Sequence, residues 1–316
     1  HANLSQIVVF CWLGDDTCAR NLTPLLRAWP GEGGHARATM GLDVLTEMGS
    51  EVALMNLYGI SQKLKFKGLK NKAKEKVQEV AEQRGLTELQ LADRLVPDFD
   101  LDARGSTTLD FGARQFTVGF DERLRPIVRD GKGKELKNLP KPGVKDDPEK
   151  AGEATKQFTA LKKDVKTVAQ LQVTRLEDAM CQRRLWSFED YQSYLVEHPL
   201  LGHLVRRLVW GAYSSEGDLQ STFRVSEDLS FANQEDDDCT VDSQHKIGIV
   251  HRLDLPDEAA AAWGEVFGDY EILQPFDQLG RPVFSPTEEE IAAKHLLRFE
   301  GLYSAIVEIL RLENTG

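Results

Sequence analysis

No CxxC pair occurs in the chain, and its four cysteines, Cys11, Cys18, Cys181 and Cys239, stand far apart. With seven scattered histidines they offer no zinc-ligand spacing, because structural zinc sites draw their ligands from close pairs. Reduced thiols in a cytoplasmic protein are the expectation. His198 and His203 flank a Pro-Leu-Leu-Gly stretch, but positions five apart diverge on a helix and metal-binding helices favour spacings of three or four. No metal ligand is assigned. No apolar run approaches the roughly 20 residues of a membrane-spanning helix. Ile7 to Leu13, the longest candidate near the start, has no basic segment before it and is not read as a signal peptide. The GxSxG, HExxH and GxGxxG motifs are also missing, and the Gly-Lys-Gly-Lys at 131–134 lacks the spacing of a phosphate loop. No cofactor and no catalytic residue is assigned. Catalytic triads assemble from distant positions, so these absences weaken an enzyme reading without eliminating it.

What is present has the composition of an ordinary globular protein, with 41% hydrophobic and 28% charged residues, and enough length for two modest domains or one large one. Charge is unevenly spread. From Trp210 to Gly316 there are 7 Lys+Arg against 22 Asp+Glu, leaving 32 against 29 for residues 1–209 of a chain whose net charge is -12. The chain opens on His1 rather than methionine, which suggests a fragment of something longer.

The periodicity predicts an α+β fold in three parts. Residues 1–95 read as a helical-repeat-like (HEAT/armadillo-like) segment, with helices over 16–29, 35–48, 51–64 and 69–84, a C-cap at Gly49 and a turn at Gly68. Residues 96–147 read as an antiparallel β-meander, with strands drawn from 106–138 and a hairpin at Asp130-Gly131, ending in a proline-rich connector. Residues 148–316 read as an α+β region with an acidic last third. It holds a long helix, a helix capped by Ser187, a helix over 199–210, and strands at 219–225 and 246–250. Helices follow at 257–267, at 288–299 behind Thr287, and near the C-terminus.

Three features compete for a functional role. Residues 62–76 hold seven lysines and one glutamate. Leu69, Ala73, Val77 and Val80 share one helical face, flanked by lysines whose methylene stems can lie along neighbouring helices. Lys63, Lys65, Lys67, Lys70, Lys72 and Lys74 are therefore read first as the wet border of a helix pair, and second as a non-specific phosphate surface. Residues 269–284 concentrate aromatics with Gln274, Asp277, Gln278 and Arg281 in an ordered-looking loop. With His203, Arg206, Arg207 and Trp210 they form a candidate polar pocket, and a loop that plugs a core is the competing reading. The carboxylates at 235–242 lack the glycine and distal glutamate of a calcium loop and read as solvated.

Four stretches, residues 57–87, 109–147, 197–213 and 270–284, together resemble the domain of unknown function 4132 found in bacterial MolR-like proteins. That resemblance implies a large protein with helical repeats upstream, a sequence continuing past the Arg-Leu-Glu-Asn-Thr-Gly terminus, and a weak link to transcription regulation. Family members sometimes carry a WGR domain; the Val-Trp-Gly-Ala-Tyr at 209–213 is not one. It supplies no catalytic residues. The expectation is a non-catalytic interaction or regulatory region of a larger cytoplasmic bacterial protein, leaning away from an enzyme. Its partners would be the rest of a larger polypeptide and a protein; nucleic acid is the alternative and no membrane is expected. An uncharacterised enzyme using the pocket around Asp277 and Arg281 is the second alternative.

Overall fold

The computed structural model describes residues 15–283 and 287–293. Within them the chain is α+β and divides into two compact units. The first runs through Leu171 and also takes in Glu197–Gly202, while the second comprises Gln172–Val196 and the described residues from His203 on.

The first unit begins with five helices: α1 (Asp16–Ala28), α2 (His35–Met48), α3 (Glu51–Lys63), α4 (Lys67–Gln83) and α5 (Glu88–Arg94). Each boundary has a local cause. Asp15 caps α1 by accepting from the Thr17 and Cys18 amides, and Gly49 ends α2 at φ 63°, where a side chain would be strained. Ser50 caps α3 through the Ala53 amide. Helices pack on their near neighbours, α1 on α2 and α3, and α4 on α2 and α3. The buried face of α4 is Leu69, Ala73, Val77, Val80 and Ala81, as its spacing predicts. At the α1–α2 crossing, a Cβ on Gly41 would lie 2.2 Å from Leu26 Cδ2, so only glycine permits that approach.

The structure moves one expected turn and adds one helix. The turn between α3 and α4 lies at residues 64–66, where the extended backbone of Phe66 starts the helix, and Gly68 sits inside the first turn of α4. Helix α5 was not anticipated, although Thr87 and Gln90 form the reciprocal capping box that marks its start.

The meander follows as β1 (Thr107–Asp110), β2 (Gln115–Phe120), β3 (Pro126–Asp130) and β4 (Glu135–Leu136), paired in sequence order. The Asp130 hairpin is present, but it is wider than a two-residue turn. Asp130 Oδ1 accepts from the Lys132 and Lys134 amides, and the left-handed position falls on Gly133 at φ 80° rather than on Gly131.

The proline-rich connector is held by one clasp. The Arg114 guanidinium, lying over the Phe111 and Phe116 rings, donates to both oxygens of Asp146 at 3.0 and 2.5 Å, while the Gly143 amide donates to Oδ2 at 2.6 Å. Arg114 beside it, and then the Gly143 amide, hold the Asp146 carboxyl below its ordinary value of 3.8. A depressed carboxyl stabilises the fold above its unfolded value and loses that contribution as pH falls through its folded value. Asp146→Asn is therefore expected to flatten the acid limb of the stability–pH curve below pH 3.8, measured by urea unfolding. An unchanged limb would remove the clasp from the acid response.

Helix α6 (Pro148–Cys181) contributes residues to both units. In the second unit, β5 (Leu185–Ser187), β6 (Trp210–Tyr213), β7 (Leu219–Val225), β8 (Phe231–Ala232), β9 (Asp238–Cys239) and β10 (Lys246–Ile249) form a sheet of order β5-β10-β6-β7-β8-β9. Ser187 caps α7 (Phe188–Tyr191), which runs on as a π-helical turn through Val196. The helix expected over 199–210 shrinks to α8 (Gly202–Val205), because Trp210 instead opens β6 and pairs with Phe223 and Ile249. Strands β5, β8 and β9 were not anticipated. Helix α9 (Asp257–Asp269) and the Thr287-capped α10 (Glu288–Ala292) were. The helix expected to reach Phe299 is shorter, because Ala293 is extended at ψ 153° and ends it; residues past 293, the C-terminal helix and Ile7 to Leu13 lie outside the described residues. Among the described residues no helix is long and apolar enough to cross a membrane.

Alternation along β6 and β7 separates the faces of the sheet. Thr222 receives the Trp263 indole N–H of α9 at 3.0 Å, and Val209, Val250, Leu255, Trp263, Val266 and Phe267 form one apolar cluster. Trp210 and Phe223 point the other way, against Tyr191 and Phe231. The Tyr191 hydroxyl is fully buried among these rings with no hydrogen-bond partner among the described residues, and burial pushes its pKa well above the ordinary value. An unpaired buried hydroxyl is destabilising, so Tyr191→Phe should leave stability unchanged or raise it by about 1 kcal/mol. A loss of more than about 1 kcal/mol on urea unfolding would show that the hydroxyl has a partner.

Candidate functional site

The loop after α9 is organised around one side chain. Gln278 is 0% exposed; its Oε1 accepts from the Val209 amide at 2.9 Å, and its Nε2 donates to the carbonyls of Val209 and Val250, each at 2.8 Å. Val209 immediately precedes β6 and Val250 immediately follows β10, and these strands are neighbours. The amide extends their ladder one step beyond its end. Gln274 supports it, donating to Gln278 Oε1 at 2.8 Å and accepting from the Leu279 amide at 3.0 Å.

Around this clamp the other candidate residues take separate tasks. Arg207 is buried and donates to the His203 carbonyl at 2.9 Å and the Leu273 carbonyl at 2.8 Å, fastening the loop to the segment after α8. Arg281 donates to Glu177 at 2.5 Å and to the Asp277 carbonyl at 3.2 Å. Asp277 is exposed and Arg206 half-buried, with burial holding the Arg206 pKa below its ordinary value. Trp210 faces the aromatic cluster and gives its indole N–H to the Val205 carbonyl at 2.9 Å. The loop thus brings Arg207, Gln278 and Arg281 onto one frame and bonds each to the protein itself.

His198 has a turn-forming geometry. Its Nδ1 accepts from the amides of Leu200 and Leu201, at 3.1 and 3.2 Å, and Nε2 lies 3.0 Å from the Val96 carbonyl. An accepting Nδ1 and a donating Nε2 describe the neutral imidazole. Among the described residues no group of three or more His, Cys, Asp or Glu side chains is placed to hold a metal ion. The acidic loop is exposed at Glu235, Asp237 and Asp238, but Asp236 is anchored. It accepts from Arg224 at 2.6 Å and from the Tyr270 hydroxyl at 2.5 Å, with the Arg224 guanidinium 4.6 Å from the Tyr270 ring centre. Arg224, and secondarily Tyr270, hold the Asp236 carboxyl below the usual range.

The lysines separate into two sets. Lys72 pairs with Glu75 at 2.8 Å, and Lys76 bridges Asp43 and Glu79 at 3.3 and 3.1 Å. Lys70 is half-buried beside the α4 seam. Lys63, Lys65, Lys67 and Lys74 are exposed, and none has a carboxylate partner among the described residues.

The model of the family described as "Domain of unknown function (DUF4132)" matches residues 133–316. The chain belongs to the DUF4132 family. It is 39% identical over 305 residues, 96% of its length, to the "Uncharacterized protein YehI" of Escherichia coli (strain K12), and spans 25% of that protein's length. No solved structure matches the chain.

In this DUF4132 chain the Arg224–Asp236–Tyr270 lock was missed by sequence reasoning, since nothing in the spacing of three residues on separate elements announces it. Gln278 was singled out for its polarity, and the structure places it on backbone. Gln278→Leu strands the Val209 amide and the Val250 carbonyl in an apolar cluster, the Val209 carbonyl keeping the Val250 amide at 3.2 Å; this is expected to cost about 2–5 kcal/mol and to speed hydrogen exchange at the Val209 amide. Asp277→Asn, at an exposed position, should stay within about 0.5 kcal/mol. Equal effects of the two on urea unfolding would contradict the clamp.

Proposed function

We propose that the chain is a non-catalytic interaction region of a larger cytoplasmic bacterial polypeptide, meeting a protein partner through the helical part of its first unit. The observation that carries this reading is the use of the polar side chains in the most conspicuous loop. Gln278, Arg207 and Arg281 bond to the chain's own backbone and to Glu177, so their polarity serves the architecture. The near-neighbour helix packing of α1 to α4 supports it as well, because stacked helix pairs expose broad faces suited to binding another macromolecule. The exposed Lys65, Lys67 and Lys74 mark the face to test.

In a full-length protein carrying this region, in-cell cross-linking should lose a specific partner when those three lysines are replaced by glutamate. If a scan of exposed residues across α1 to α4 left every cross-linked partner in place, the reading would fail.

The lysine run also favours a second reading, nucleic-acid binding through Lys63, Lys65, Lys67, Lys70, Lys72 and Lys74, of which Lys72 would have to exchange its Glu75 partner for phosphate. Affinity for a labelled duplex or single strand would then fall steeply between about 50 and about 200 mM salt. Replacing four of these lysines with glutamine would weaken it further. No binding at low salt, or no effect of the four substitutions, would eliminate this reading.

A further inference from the structure

A cleft of about 430 Å³ opens in the first unit between α1, α3, the segment 97–99 and the first-unit part of α6. Its walls combine two chemistries. Met55, Val168 and Leu171 supply a buried apolar side. Gly59 leaves that floor open, since the nearest atoms to a Cβ placed there are Arg27 Nη2 at 3.8 Å and Leu171 Cδ2 at 3.9 Å. The polar lining carries four cations, Arg20, Arg27, Lys63 and Lys163, against one carboxylate, Asp164. That carboxylate is already engaged by Arg20 at 2.6 Å.

Arg27, Lys63 and Lys163 are left exposed, with no ion pair among the described residues. Elsewhere the unit pairs some cations, Arg114 with Asp146 and Lys76 with Asp43, and leaves others, Lys65, Lys67 and Lys74, exposed. Three cations without a direct ion pair line one cleft, Lys163 being in longer-range attraction to Asp164, and an anion placed between them lowers their mutual repulsion. The rim adds a conformational observation. Phe99 stands at φ 58° and Asp100 at φ 55°, a left-handed conformation that is uncommon for non-glycine residues and recurs at ligand clamps.

We infer that this cleft binds a small amphipathic organic anion, with its apolar or aromatic body over Met55 and Leu171 and its acidic head held by Arg27, Lys63 and Lys163. The cleft's volume lies within the range of small-molecule sites, roughly 300–1,000 Å³. An extended polyanion would engage the cations and leave the apolar floor without a partner. The inference does not rest on the protein-partner reading above, and Arg27 and Lys163 lie outside the lysine run.

The probe is 8-anilinonaphthalene-1-sulfonate, an aromatic body with one anionic head, titrated into the 316-residue chain and followed by fluorescence. Saturable one-to-one binding is expected. N-phenyl-1-naphthylamine, the uncharged counterpart, should bind about tenfold more weakly or worse, and R27Q with K163Q should weaken the sulfonate by about tenfold or more. Gly59→Leu places a side chain on the floor and should abolish binding, with circular dichroism reporting that each variant is folded. If no saturable binding occurs, if the neutral probe binds equally well, or if folded R27Q/K163Q and Gly59→Leu retain wild-type affinity, the inference is overturned.

Discussion

The second unit depends on one constraint: the backbone groups of Val209 and Val250 sit in an apolar cluster where water does not reach them, so each needs a partner within the protein. A primary amide presents the same donor and acceptor chemistry as a peptide group, and Gln278 supplies both from a loop far along the chain. That substitution lets β6 and β10 end inside the core instead of at its margin. It also fixes the loop against Trp263 and its neighbours, while Arg207 and Arg281 secure the two sides. A loop that looks rich in potential chemistry is rich because it imitates a strand.

The first unit handles polarity differently. It buries a few polar side chains, Thr23, Ser61, Asp93 and Asp146, while the α4 seam is apolar, with lysines along its borders. Lys72 and Lys76 are matched by carboxylates on their own helix or on α2, which packs against it. The cations left over are therefore informative by their position. Lys65, Lys67 and Lys74 face outward, whereas Arg27 and Lys163 line a cleft.

Elements whose cause is local were legible in the sequence. Helix α2 closes at Gly49 because a left-handed residue follows, α4 buries the spaced apolar positions, and the meander follows its alternation. Reading failed where tertiary contacts overrode local preference. Trp210 has a helical surrounding in sequence, but pairing with Phe223 and Ile249 recruits it to a strand. Gly68 suggested a turn that the extended backbone of Phe66 makes unnecessary. Strands β8 and β9, of two residues each, are too short to carry a period. For the candidate pocket, residue type was readable and residue purpose was not. Whether Gln278 addresses a ligand or a backbone depends on Val209 and Val250, 69 and 28 positions away.

The two units are interleaved along the chain: residues 197–202 belong to the first although they are flanked on both sides by residues of the second. That short insertion includes His198, whose ring joins the Leu200 and Leu201 amides to the Val96 carbonyl. Any single break in the polypeptide leaves at least one unit without part of itself. A recombination crossover or a protease nick thus has no single position at which it could separate the two intact.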